Sequence, residues 1–215
     1  MDNNVAVHLD KLIKRYPELE SCVNDINDAF SLLLKAFSTE RKLLVCGNGG
    51  SCADSDHIVG ELMKGFMKKR PVSELVRSEL NELFPEDSTY LADHLQGALP
   101  AISLSHHQAL TTAFTNDVDP LMAFAQQVFG YGNSGDVLLG ISTSGNAKNV
   151  LNAVKIAKLK KMKTIGLTGD QGGELKNLCD VTIRVPASIT PEIQEYHLPI
   201  YHTLCIMLEE AFFSL

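Results

Sequence analysis

Between Asn24 and Phe37 the apolar residues Ile26, Phe30, Leu33, Leu34 and Phe37 recur at helical intervals, which predicts one long amphipathic helix before the first strand. Beyond it the pattern changes. Short unbroken apolar runs at Lys42–Cys46, Pro100–Leu104, Val137–Ile141, Thr164–Leu167 and Val181–Val185 alternate with helical stretches. Strands that are apolar on both faces, with helices between them, belong in a parallel sheet covered on both sides. The expected fold is therefore α/β, doubly wound, with a five-stranded parallel sheet flanked by helices. The stretch from Pro71 to Leu99 breaks the alternation, because Glu74–Leu83 and Tyr90–Leu95 both have helical patterns and no strand separates them. It reads as an inserted helical excursion, suited to a solvated face or a lid. The last segment opens with Thr190 as N-cap and Pro191 at the first helical position, then continues as a long helix in which Pro199 removes a backbone donor and should introduce a bend. That helix is apolar on more than one face, as expected if it also packs against another subunit.

Composition narrows the class. With 215 residues, 45% of them apolar and 21% charged, the chain can bury its own core, and one domain over 1–215 is the expectation. A net charge of −7 spread without blocks of like sign gives no footprint for nucleic acid and leaves small solutes or protein surfaces as partners. No apolar run approaches the ~18 residues of a membrane span, and MDNNVAVHLD has neither a basic n-region nor an apolar h-region, so a soluble, unprocessed chain is expected. The five cysteines (Cys22, Cys46, Cys52, Cys179 and Cys205) form no CxxC pair, and Cys46 and Cys205 lie in apolar segments. Reduced thiols in a cytoplasm fit that pattern.

In open parallel sheets ligands sit beyond the carboxyl ends of the strands, which directs attention to two loops. In the first, Gly47, Gly49 and Gly50 let backbone amides approach a ligand at a helix N-terminus, with Asn48 and Ser51 beside them. A tight turn before a helix needs the same glycines. In the second, Ser142, Thr143 and Ser144 precede Gly145 and Asn146, a compact set of donors for a phosphate dianion and equally an N-cap cluster. His57 and Glu61, four apart on the helix leaving the first loop, share a face. They could form a surface ion pair, chelate a divalent metal or divide base and orienting roles, and spacing alone does not choose. Gln194 and His202 make a second polar pair eight residues apart on the last helix, about 12 Å of rise. His197 and Tyr196 read as packing residues, and His106 and His107 as a cover for the helix that follows them.

Taken in order, GNGGS, HIVGE, ISTSGN, LTGDQGG, IRVP and IQEYHLPIYH resemble the sugar isomerase (SIS) domain family, and within it the phosphoheptose isomerases, over about Leu43 to Leu208. The resemblance implies an aldose–ketose isomerase converting sedoheptulose 7-phosphate to D-glycero-D-manno-heptose 7-phosphate through an enediol. It implies Glu61 and His202 as base and acid, and His57, Glu61, Gln194 and His202 as ligands of one metal, zinc in the family. Asn48, Gly49, Gly50, Ser51, Asn116, Asp117, Ser142, Thr143, Ser144 and Gln194, with Glu61, would hold the substrate. It further implies a cytoplasmic homotetramer with sites built between subunits. The alternatives are a non-catalytic SIS regulator or replication initiator-associating protein, relatives that lack the glutamate and final histidine retained here, and an isomerase of another sugar phosphate. Two positions depart from the family: Gly65 stands where an arginine is common and Ala147 where a serine is. Lys64, Lys68, Lys69 and Arg70 are the nearby cations that could compensate.

Overall fold

The computed structural model describes residues 3–213, so residues 1, 2, 214 and 215 of the expected single-domain span lie outside it. Strands β1 (Leu43–Gly47), β2 (Ala101–Ser103), β3 (Val137–Ile141), β4 (Lys163–Thr168) and β5 (Val181–Arg184) form one sheet in the order β2-β1-β3-β4-β5, with every pairing parallel. Each lies within two residues of its predicted run. Helices α1 (Asn3–Arg15) and α2 (Val23–Ser38) precede the sheet, and α3 (Gly50–Met63) follows β1. Helices α4 (Glu74–Leu83) and α5 (Ser88–His94) make the excursion, and α6 (Gln108–Asp117) and α7 (Ala123–Tyr131) connect β2 to β3. Helices α8 (Lys148–Leu159), α9 (Leu175–Leu178) and α10 (Thr190–Phe213) complete the chain. Two helices rather than one precede the sheet; the first escapes the periodicity reading because its buried apolar face is only the narrow stripe Val5, Leu9 and Leu12.

Successive strand residues point to opposite faces, and the core divides accordingly. Leu43 and Val45 of β1 pack into a cluster shared with α1, α2, α3 and α10, whereas Leu44 and Cys46 pack into one shared with α7 and α8. Strands buried on both faces are what the unbroken apolar runs encode. All five cysteines are free thiols. Burial pushes those of Cys46 and Cys205 up to about 12, so they act as small apolar side chains. Among the described residues no helix is long and apolar enough to cross a membrane.

Chain order decides where a ligand can enter. From β1 the chain moves outward to β2 and then returns to the opposite side of β1 to form β3. The crevice at such a reversal is where open parallel sheets bind ligands. Gly47 is in register with Ile141, so the loops beginning at Asn48 and Ser142 leave the sheet abreast.

The excursion is closed at its base by an isolated antiparallel bridge between Pro71 and Gln96. Just before it lies a buried ion pair. Arg70 Nε donates to Glu209 Oε1 at 2.8 Å, and both residues are 1% exposed. The remaining guanidinium donors cap the end of α3 at Leu62 O (2.8 Å) and Glu61 O (3.1 Å). The Glu209 carboxylate accepts from the amides of Phe66, Met67 and Lys68. The pair thus ties the C-terminal end of α3 to α10.

Removing one member of such a pair strands its partner's charge. Arg70→Met is expected to cost about 3–5 kcal/mol in urea unfolding. Arg77→Ala, which breaks the exposed Arg77–Asp93 pair, should cost less than about 1 kcal/mol. Equal costs would show that burial is not what makes the first pair matter. His197 on α10 is fully buried, and burial pushes its imidazole down to about 4. The unfolded chain takes up this proton near pH ~6.5 while the folded chain does not, so stability should fall between pH ~6.5 and ~4 by about 3 kcal/mol. Thermal melts over that range should show the loss, and His197→Leu should flatten it.

Candidate functional site

Two groups of residues lie along one line, the first at the loops leaving β1 and β3. Gly49 has φ +56°, a left-handed conformation that glycine adopts without strain. Gly50 meets another constraint: a Cβ there would lie 2.4 Å from Gln194 Nε2. Asn48–Ser51 and Ser142–Ser144, with Thr190 and Gln194, line a groove of about 390 Å³. Helix α3 begins at this groove, so its N-terminal amides and positive dipole end are directed toward it. Asn48 and Asn149 exchange side-chain amide hydrogen bonds of 3.0 and 2.8 Å, which pins the first loop to α8. Neither Asn149 nor Thr190 was identified as a site residue from sequence. Asn149 sits mid-pattern in a helix, and Thr190 carries only an N-cap signal.

The second group lies further along α3 and α10, which run side by side from Gly50 against Gln194 to Phe66–Lys68 against Glu209. His57 Nε2 is 3.3 Å from Glu61 Oε1, and Lys64 Nζ is 3.0 Å from Glu61 Oε2. The His57 and His202 rings meet edge to face with centroids 4.9 Å apart. Burial holds the His202 imidazole below its ordinary value, with His57 adding to that effect and Glu61 opposing it. On its other side His202 borders a groove of about 420 Å³ between α1 and α10. His57 Nδ1 lies 3.0 Å from the hydroxyl of Tyr201, which donates to Asp54 Oδ1 at 3.2 Å.

The structure therefore brings His57, Glu61 and His202 together. It holds Gln194 at the hydroxyl-lined groove, eight residues back along the same helix and about 12 Å away by helical rise. Among the described residues no three His, Cys, Asp or Glu side chains form a ready metal-binding group. The donor chemistry nevertheless suits a divalent cation: two imidazoles adjoin a carboxylate, and His202 Nε2 is buried without a hydrogen-bond partner.

Other candidates lie elsewhere. Asn116 and Asp117 end α6, are exposed, pair with each other at 2.8 Å and line neither groove. His106 is not simply a cover, since its Nε2 pairs with Asp56 Oδ1 at 3.0 Å. Of the four cations near Gly65, Arg70 is committed to Glu209 in the interior, Lys68 pairs with Glu210, Lys69 is exposed, and Lys64 is the one that pairs with Glu61. Gly65 itself has a packing reason. A Cβ there would run into the carbonyl oxygen of Lys68, so this loop path excludes any side chain at that position. Ala147 borders the hydroxyl-lined groove.

Residues 101–207 match the model of the SIS domain. The phosphoheptose isomerase of Nitratiruptor sp. is 42% identical over 87% of this chain and 86% of its own length. Among solved structures, phosphoheptose isomerase GmhA from Neisseria gonorrhoeae superposes with a TM-score of 0.73 at 32% identity, covering 96% of this chain and 97% of that one. A phosphoheptose isomerase from Francisella tularensis gives 0.72 at 30% identity, covering 98% of this chain and all of the other.

Because the atom nearest a Cβ at Gly50 is the mobile end of Gln194, Gly50→Ala should displace that side chain at a stability cost below about 1 kcal/mol. Binding of a sugar phosphate, read by calorimetry, should weaken severalfold. Unchanged affinity would mean that Gln194 and this face of the groove take no part in binding.

Proposed function

The chain belongs to the SIS-domain family, among its phosphoheptose isomerases, and from that premise we propose that it interconverts sedoheptulose 7-phosphate and D-glycero-D-manno-heptose 7-phosphate through an enediol. The observation that carries this reading is the separation of two chemistries along one face. A hydroxyl- and amide-lined groove lies at the strand ends, and an imidazole–carboxylate–imidazole cluster lies about 12 Å further along α3 and α10. An elongated phosphosugar anchored by its phosphate in the first would place C1 and C2 near the second.

Ser142, Thr143 and Ser144 take the phosphate, with Asn48, Gly49, Gly50 and Ser51 closing over it through backbone and side-chain donors. Glu61 removes a proton from C1 of the ketose and delivers it to C2 of the enediol, and His202 carries the proton from the C1 oxygen to the C2 oxygen. Lys64 keeps a positive charge beside the Glu61 carboxylate. His57, Glu61 and His202 would hold zinc, with Gln194 contributed from a neighbouring subunit of the oligomer. When bound, the metal supplies Lewis-acid polarisation of the carbonyl. The whole chain, 1–215, acts as one SIS domain with its helical insertion at about 71–99. In our reading it works in the cytoplasm as a homotetramer, in which Asn116 and Asp117 reach the site of a neighbouring subunit. The free thiols and the absence of any buried residue on α6 support this.

Glu61→Gln should lower kcat at least about a hundredfold on sedoheptulose 7-phosphate while leaving substrate binding in place. A wild-type rate would remove Glu61 from the chemistry. Chelation should lower the wild-type rate and zinc should restore it. Among C5, C6 and C7 phosphosugars, the C7 substrate should give the highest kcat/KM.

A further inference from the structure

Tyr201 of α10 is 2% exposed and lies between the two helices that carry the site. Its hydroxyl donates to Asp54 Oδ1 at 3.2 Å and lies 3.0 Å from His57 Nδ1, while its ring meets the His57 ring edge to face. A phenol has one proton, and a carboxylate can only accept. A hydroxyl that donates to Asp54 has none to give His57, so its oxygen must accept from Nδ1. A neutral imidazole with its proton on Nδ1 has a bare lone pair on Nε2. That nitrogen lies 3.3 Å from Glu61 Oε1, and the ring of His202, whose Nε2 is buried without a hydrogen-bond partner, meets the His57 ring edge to face. Acceptors facing one another are relieved by an electropositive centre between them, either a proton on Nε2 or a metal cation.

We propose that Tyr201, oriented by Asp54, is a positioning residue that locks His57 in the Nδ1–H tautomer and so presents its Nε2 lone pair to a divalent cation. The inference rests on the reading of His57 as a metal ligand. It goes further in naming the two residues that fix the orientation of that ligand, neither of which is a ligand itself. Partners on the far ring nitrogen are a general means of setting which nitrogen binds metal. Tyr201 is suited to the role because its ring packing and its hydroxyl can be separated by a single substitution.

The test uses the full-length, metal-free protein with 15N-labelled histidine rings. Long-range proton–nitrogen correlation spectra are recorded at about pH 8.5, above the ordinary imidazole range. The His57 signals are assigned by their absence in His57→Gln. Wild type should show Nδ1–H. Tyr201→Phe, which keeps the ring, should shift His57 toward Nε2–H and weaken zinc binding about tenfold or more in competition with a chelator. Asp54→Ala, which removes the acceptor, provides a second variant should Tyr201→Phe fold poorly. Without the carboxylate the hydroxyl is free to donate to His57, and the tautomer should move the same way. Nε2–H in wild type, or a variant with the wild-type tautomer and zinc affinity, would overturn the proposal. Because the tautomer is read without metal or substrate, that failure is distinguishable from a failed isomerase assay on Glu61→Gln.

Discussion

Everything chemical in this chain depends on α3 and α10 keeping a fixed alignment, because the candidate residues are divided between them. Three contacts of different kinds hold that alignment. At the start of α3, the missing side chain of Gly50 lets Gln194 approach the backbone. Midway, Tyr201 reaches across to Asp54 and His57. At the far end, Arg70 caps the last carbonyls of α3 while Glu209 gathers the amides of the loop beyond it. A steric fit, a polar relay and a buried ion pair resist different displacements. Sliding the helices by one turn, about 5.4 Å, would break all three.

The sheet supplies the complementary constraint. Reversal of strand order at β1 and β3 opens a crevice, and the register of Gly47 with Ile141 makes the glycine-rich and hydroxyl-rich loops its two walls. Backbone amides and hydroxyls suit a phosphate there without any cation in the groove. Further along the helices, two imidazoles and a carboxylate meet. Anchoring one end of a substrate and reacting at the other lets binding energy position the reacting carbons.

The strands were legible as short apolar runs because both faces of this sheet are covered, and α4 and α10 were legible from their periodicity and terminal signals. Helix α1 was not, because Val5, Leu9 and Leu12 make a stripe too sparse to stand out among polar neighbours. The two loops and the His57–Glu61 pair could be picked out locally, since adjacency in sequence or one helical turn brings their members together. Asn149, Tyr201 and Asp54 gave no such signal. Each gains its role from a contact with a distant segment. Arg70 was read as a cation that could compensate for the arginine absent at Gly65, but its guanidinium is engaged in the interior by Glu209 and two α3 carbonyls.

The sequence by itself determined the fold class and the family and picked out the two candidate loops at the strand ends, because these are written in periodicities and short motifs that depend on near neighbours. Tertiary structure alone decided which polar residues meet. It brought His202 to His57 and Glu61, left Gln194 at the hydroxyl-lined groove, buried Arg70 against Glu209 and placed Tyr201 between a carboxylate and an imidazole. The physical reason is that those meetings depend on how two long helices pack over a sheet. The pairing of residues more than a hundred positions apart is set by that packing and has no local pattern.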